Sequence, residues 1–138
     1  MADGFCANDD VRVEWAGGVH ETGAAVFGAQ HIQQALHEDL ELVLAEPADG
    51  CGAGLANTNS DGKIVLIQRG TCPFAEKALN AQNAGATALV IYNNAEGMMS
   101  MSGDDRSILI LAVLVSQADG EGLAAAISQG TTTISLRC

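Results

Sequence analysis

The chain has 138 residues, 48% of them hydrophobic, which is enough for one domain with a real core. It carries 17 acidic residues against 6 basic ones, a net charge of −11, which argues against nucleic acid and anionic membranes as partners because both need a positive surface. No apolar run is long enough to span a membrane, and the opening residues MADGFCANDD lack the basic start and apolar stretch of a signal peptide.

The first part of the chain is dominated by strand patterns. Alternating apolar and polar residues predict a half-exposed strand at Val11–Trp15. His20–Phe27 and Leu40–Ala45 are two further strand candidates. Gln30–Glu38 fits a short helix and a loop equally well. Asp49–Asp61 is rich in Gly, Asn and Asp, which predicts a loop.

The middle of the chain, Gly62–Asn94, has the pattern of a strand–helix–strand unit. Ile64–Ile67 is a short continuous apolar run, as expected of a strand buried on both faces. A helix is predicted from about Pro73 to Ala84, because proline is tolerated at the first helical position, and Gly85 suits its end. Ala88–Tyr92 is a second buried strand. Two strands joined in this way should lie parallel, with a right-handed crossover.

The last third repeats the alternation of strand and helix. Ile108–Val115 predicts a buried strand, and Ser116 can cap a following helix, with Asp119 at the third position in the manner of a capping box. Gly130 ends that helix, and the β-branched run Thr131–Leu136 predicts a final strand. The element order predicts a mixed sheet with helices on one side and a separate antiparallel layer.

An ordered series of motifs resembles the protease-associated (PA) domain family. The matching residues are GKIVLIQRG (Gly62–Gly70), Cys72, Phe74, Lys77, NAQNAGA (Asn80–Ala86), VIYNN (Val90–Asn94), SGDD (Ser102–Asp105), VSQADG (Val115–Gly120) and, upstream, TGAAVFG (Thr22–Gly28) and ELVLAEPADGC (Glu41–Cys51). The resemblance covers nearly the whole chain. It implies a β-rich α/β fold of the swivelling β/β/α type, with a mixed, barrel-like sheet flanked by two helices. The length of the chain predicts a single domain of this type over residues 1–138, and we expect residues 1–9 to be a flexible or disulfide-tethered N-terminus.

The resemblance implies a non-catalytic protein- or peptide-interaction module without a cofactor. The simplest interpretation is a monomeric PA domain cut from a longer secreted protease, with Met1 added for expression. There it would modulate substrate access or dock a polypeptide substrate or a neighbouring catalytic domain. The alternative is a cell-surface or receptor-like domain that captures peptides with no protease attached. A standalone enzyme is disfavoured, because the sequence has no GxSxG motif, no P-loop and no other convincing catalytic constellation.

The resemblance also directs attention to a turn after the first middle strand and to a later loop. Arg69 could hold a carboxylate or, as we favour, pin the neighbouring loop. Lys63, Arg69 and Lys77 fall within one short window, which indicates either local ion pairs with Glu76 or nearby aspartates, or a positive spot for a peptide carboxylate. The predicted peptide- or partner-binding residues are Arg69, Thr71, Asn93, Asn94, Met98, Met99, Met101, Asp104 and Asp105, and the predicted structural ones are Gly70, Cys72, Phe74, Lys77 and Gly85.

The four cysteines have no metal-like spacing and allow three pairings. Cys51 and Cys72 lie in the part that resembles the family, where cysteines at these places tend to pair, which implies a Cys51–Cys72 disulfide. Cys6 and Cys138 lie near the two termini, which often lie close together in one domain, so a Cys6–Cys138 pair is expected. Four free thiols are the alternative.

Two metal hypotheses are weak. Asn57, Asn59 and Asp61 imitate the first half of a calcium-binding loop, but Gln68 stands where the bidentate glutamate is needed. His31 and His37 are six residues apart, which does not place them on one helical face. We therefore expect no metal site, and the weaker alternative is calcium at Asn57, Asn59 and Asp61.

Overall fold

The computed structural model describes residues 12–15, 18–21, 23–24, 37–46, 48–52, 60–94 and 110–137. These residues contain eight strands and two helices. In chain order they are β1 (Arg12–Trp15), β2 (Gly18–Glu21), β3 (Gly23–Ala24), β4 (His37–Leu44), β5 (Ile64–Gln68), α1 (Phe74–Asn83), β6 (Ala88–Tyr92), β7 (Leu111–Val115), α2 (Gln117–Gln129) and β8 (Thr132–Arg137). None of the helices in these ranges combines the length and the apolar character that crossing a membrane requires.

All eight strands belong to one mixed sheet, in the order β2-β1-β8-β4-β5-β6-β7-β3. The four central strands β4, β5, β6 and β7 are parallel, and Ile64 lies opposite Ala88 as the middle segment predicts. The antiparallel strands continue the same sheet, because β8 pairs with β1 on one side and β4 on the other. The expected separate antiparallel layer is therefore wrong.

The two helices cover opposite faces of the sheet. Val65, Ile67 and their neighbours pack with Ala78 of α1, whereas the alternate residues Ile64 and Leu66 pack with Leu123 of α2. The expectation that both helices lie on one side is wrong. The reason is that an unbroken apolar run exposes large side chains on both faces of a strand, and both must be covered.

Local signals place most element ends. The side chain of Ser116 accepts a hydrogen bond from the Asp119 backbone N–H at 3.1 Å, so the predicted cap of α2 is confirmed. Helix α1 begins directly after Pro73, and Gly85 follows its end with φ of 92°.

Strand β4 begins at His37, three residues before the predicted start at Leu40, and its register with β8 shifts between these two residues. His37 and Glu38 are thus strand residues, and the rest of the ambiguous segment 30–36 lies outside the described residues, as do residues 25–27 and 108–109. The predicted fold class, a β-rich α/β domain with a mixed sheet and two flanking helices, is confirmed.

Candidate functional site

Four of the predicted binding residues meet at one edge of the sheet. Parallel strands share a carboxyl edge, and Arg69 and Thr71 follow β5 there while Asn93 and Asn94 follow β6. Arg69 Nη1 donates hydrogen bonds to Asn93 Oδ1 at 3.0 Å and to Asn94 Oδ1 at 3.2 Å. The Arg69 backbone N–H also donates to the Tyr92 carbonyl at 2.9 Å. The guanidinium thus lies where it ties the β5 turn to the end of β6, and carboxylate binding by Arg69 stays a prediction.

The turn after β5 is tight and strained. The Cys72 N–H donates to the Gly70 carbonyl at 2.8 Å, which closes a three-residue γ-turn around Thr71. Thr71 is exposed and has φ of 73°. A positive φ is unfavourable for a β-branched residue, so the surrounding contacts must enforce it.

A buried lysine holds the turn from below. Lys77, in the first turns of α1, is fully buried. Its ammonium donates to the Gly70 carbonyl and to the Asp49 carbonyl, both at 2.6 Å. Burial lowers the pKa of Lys77, and the carboxylates of Asp49 and Glu76 oppose that shift. The residue predicted as structural therefore joins two segments that are far apart in the chain.

Asp49 contacts the same turn from the side. Its carboxylate accepts hydrogen bonds from the Cys51 backbone N–H, at 3.1 Å, and from the Thr71 side chain. These two bonds, in that order, lower the pKa of Asp49, and the charge of Lys77 adds to them. Sequence reasoning missed this residue. The signal that could have found it is Asp-Gly-Cys, because an aspartate often bonds the backbone two residues later.

Helix α1 and a disulfide hold the segment 48–52 against the turn. Glu76 Oε2 accepts from the Gly52 N–H at 3.1 Å, and Asn80 Nδ2 donates to the Gly50 carbonyl at 2.7 Å. Cys51 and Cys72 form the predicted disulfide, with their Cα atoms 5.9 Å apart. The expected Cys6–Cys138 pair lies outside the described residues.

A shallow, open groove of about 330 Å³ runs along the outer side of this turn. It is lined by Arg69, Gly70, Thr71, Cys72, Pro73 and Phe74. Two larger recesses, of about 380 and 460 Å³, lie elsewhere, one beside Leu44 and Ile127 and the other beside Trp15 and Asp39. Of the predicted binding residues that the structure describes, namely Arg69, Thr71, Asn93 and Asn94, none lines either recess. We take the groove at the turn as the candidate site, although it is smaller. Arg69 and Thr71 line it, and the hydrogen bond from Lys77 to the Gly70 carbonyl holds the turn in place.

The three basic residues of the predicted window diverge. Lys63 stands at the start of β5 and forms an ion pair with Glu41 at 3.3 Å. Arg69 stands beyond the other end of β5, and Lys77 is buried beneath the turn. They therefore form no common positive spot, and local pairing is observed for Lys63, with Glu41 instead of Glu76.

The residues predicted for metal binding do not form a metal site among the described residues. Asp61 lies exposed in the turn before β5 and belongs to no metal-like cluster among the described residues. Cys51, Cys72 and Glu76 do have ligand-like spacing, but the disulfide leaves no thiolate to bind a metal. The other predicted positions fall outside the described residues, namely Asn57, Asn59, Met98, Met99, Met101, Asp104, Asp105 and His31.

Comparison with known proteins gives the family. The sequence model of the PA domain matches residues 38–123, which is more than half of the chain. The chain therefore belongs to the PA domain family, as its motifs predicted. Among curated relatives, leucine aminopeptidase 2 of Trichophyton equinum is 41% identical over 98 residues, covering 70% of this chain and 19% of the relative. Signal peptide peptidase-like 2 of Arabidopsis thaliana is 35% identical over 130 residues, covering 86% of this chain and 24% of the relative.

Solved structures agree with this assignment. The aminopeptidase from Aneurinibacillus sp. strain AM-1 matches with a TM-score of 0.68 and 29% identity, over 97% of this chain and 31% of that chain. BSAP, a zinc aminopeptidase from Bacillus subtilis, matches with a TM-score of 0.66 and 28% identity, over 92% of this chain and 29% of that chain. This chain thus spans about a fifth to a third of the proteins it matches, and it is a protease-associated module similar to parts of named peptidases.

Proposed function

We propose that this chain is a non-catalytic, monomeric PA domain of a secreted peptidase, with residues 1–138 forming a single domain. It binds an extended polypeptide, either a substrate or a segment of the neighbouring catalytic domain, at the groove beside Arg69 and Thr71. Asn94 is exposed beside Arg69, whereas Asn93 is buried and accepts a hydrogen bond from the guanidinium. The other predicted binding residues, from Met98 to Asp105, lie outside the described residues and stay part of the proposal. The similarity to aminopeptidases much longer than this chain supports the link to a catalytic domain.

The observation that carries the proposal is the rigid support beneath an exposed turn. Thr71 keeps a strained φ of 73° because Lys77, Asp49 and the Cys51–Cys72 disulfide hold the segments on both sides of it. A surface that is already fixed loses little conformational freedom when it binds a partner. Pro73 adds an exposed apolar surface, and the half-buried ring of Phe74 lines the same groove.

Arg69 is the specificity residue of this proposal. Within the described residues its guanidinium bonds only the neutral oxygens of Asn93 and Asn94, and no carboxylate there pairs with it. In a chain with only 6 basic residues, a cation at the mouth of a groove favours peptides that carry a carboxylate near an apolar side chain.

The test is a two-dimensional NMR titration of the oxidised chain with a pool of unstructured peptides. We expect shift changes concentrated at Arg69, Thr71 and Asn94, and weaker binding by Arg69→Gln. Lys63→Gln is the matched control, because it removes a cation at the other end of β5 and should bind as the wild type does. A silent spectrum at high peptide concentration, or equal losses in both variants, would refute peptide binding at the groove.

The alternative of a receptor-like capture domain makes a different prediction about the full-length gene. A catalytic peptidase domain encoded beside this segment supports the accessory role, and its absence supports peptide capture without a protease. A cleavage assay with the pure chain and a mixed peptide library tests the non-catalytic part, which reproducible turnover would contradict.

A further inference from the structure

The peptide bond between Gly70 and Thr71 has an unusual environment. Thr71 is held at φ of 73° in the exposed γ-turn. The Gly70 carbonyl oxygen accepts from the Lys77 ammonium at 2.6 Å and from the Cys72 N–H at 2.8 Å. Two fixed donors on one carbonyl oxygen, one of them charged, match the arrangement that stabilises a tetrahedral oxyanion in acyl transfer.

The residue that follows this carbonyl carries a hydroxyl, which is a candidate nucleophile. The Thr71 hydroxyl belongs to the residue directly after the Gly70 carbonyl. Its attack closes a five-membered ring made of the Gly70 carbonyl carbon and the N, Cα, Cβ and Oγ1 atoms of Thr71. Asp49 is the candidate proton acceptor, because interaction with the Thr71 side chain is among the causes that lower the pKa of its carboxylate. Hydrogen bonding from Cys51 and Thr71 lowers the pKa of Asp49, and this makes the carboxylate a weak base and the reaction slow.

We propose that the chain slowly cleaves itself between Gly70 and Thr71 through an N-to-O acyl shift. The Thr71 hydroxyl oxygen attacks the Gly70 carbonyl carbon while the hydroxyl proton passes to Asp49. The negative oxygen of the intermediate is held by Lys77 and by the Cys72 N–H. As the bond from the Gly70 carbonyl carbon to the Thr71 nitrogen breaks, that nitrogen takes the proton back, which leaves an ester. Water then hydrolyses the ester to a Gly70 carboxylate and an N-terminal Thr71 with its hydroxyl restored.

The cleavage does not release a fragment as long as the Cys51–Cys72 disulfide is intact. Cys51 lies before the cleaved bond and Cys72 lies after it, so the two pieces stay linked. The oxidised product differs from the intact chain only by the mass of one water. The cleavage is a single event for each molecule and needs no bound peptide, although it breaks the turn that lines the proposed binding groove.

The experiment incubates the purified, oxidised chain at neutral pH, with and without hydroxylamine, which attacks esters. Mass spectrometry after reduction is expected to find residues 1–70 and 71–138 accumulating with first-order kinetics. The rate should not depend on protein concentration, and hydroxylamine should raise it. Thr71→Ser keeps a hydroxyl and should still cleave, whereas Thr71→Val should not. Thr133→Val, the same change at an exposed threonine of β8, should cleave as the wild type does.

Two results would overturn the proposal. Wild type that yields no such fragments, even with hydroxylamine, lacks the reaction. Equal cleavage in Thr71→Val identifies a contaminating protease. If Thr71→Val does not fold, the hydroxylamine effect and the concentration independence of the wild-type rate still decide. Lys77→Met removes one of the two oxyanion donors, so where it folds we expect cleavage about 10²–10³-fold slower.

Discussion

Replacement of Lys77 by methionine tests the support beneath the turn. Methionine matches the length of the lysine stem but donates no hydrogen bond. The change removes the bonds from Nζ to the Gly70 and Asp49 carbonyls, both 2.6 Å long. A hydrogen bond from a charged donor contributes about 1.5–3 kcal/mol, so the gross loss is roughly 3–6 kcal/mol.

Part of that loss is recovered. Burial lowers the pKa of Lys77, which means that the folded protein carries a cost for keeping the ammonium away from water. Methionine removes this cost, and the Gly70 carbonyl keeps its bond from the Cys72 N–H. We therefore expect a net loss of about 2–4 kcal/mol in the free energy of unfolding.

The assay is urea unfolding of the oxidised chain, followed by circular dichroism and by the fluorescence of its single tryptophan. With a slope of about 2 kcal/mol per molar urea, the midpoint should fall by about 1–2 M. Lys63→Met is the matched control. Lys63 is 28% exposed and pairs with Glu41, and pairs of this kind contribute about 0–1 kcal/mol. If Lys77→Met costs no more than Lys63→Met, the ammonium does not support the turn as argued.

Two further predictions concern α2 and the acid side of the pH range. Gly120→Ala should destabilise the fold by about 1–3 kcal/mol or more, because a Cβ there would overlap the Cβ of Tyr92. A Cβ at Gly122 in the same helix would meet, among the described residues, only Trp15 at 3.9 Å, so Gly122→Ala should stabilise by about 0.5–1 kcal/mol. Thermal unfolding of both variants checks this pair, and equal effects would contradict it. In the folded state the pKa of Asp49 is lowered from its ordinary value of 3.8. Folding therefore releases a proton just below that pH, and the contribution of the Asp49 carboxylate to the free energy of unfolding is lost as the pH falls further. The stability difference between wild type and Asp49→Asn should therefore shrink as the pH falls through this range, and a constant difference would refute the assignment.

Local sequence was sufficient to predict the strand–helix–strand core. The apolar runs at Ile64–Ile67 and Ala88–Tyr92, with Pro73 before the helix and Gly85 after it, encode a parallel pair in about thirty residues. The N-cap at Ser116 could be predicted in the same way, because its hydrogen bond partner, the Asp119 N–H, is only three residues further along the chain. These features depend on short-range backbone preferences, which the sequence states directly.

Only the tertiary structure shows which face of the sheet each helix covers and that all the described strands join one sheet. Whether β8 joins β1 and β4 in one sheet depends on pairings between segments that are 90 or more residues apart, as in Leu42 with Thr132 and Arg12 with Arg137. No local preference encodes such a pairing. The early start of β4 depends on a register shift that is partly fixed when the Asp39 N–H bonds Ser135 Oγ.

The same division holds at the candidate site. The sequence by itself determined which residue types follow β5 and β6, and the family resemblance selected Arg69 and Thr71 among them. Only the tertiary structure decided that Lys77 is fully buried and bonds Asp49 and Gly70 at once. The physical reason is that a lysine in an amphipathic helix is expected to face water, and its burial becomes favourable only where folding brings two carbonyl oxygens to its ammonium.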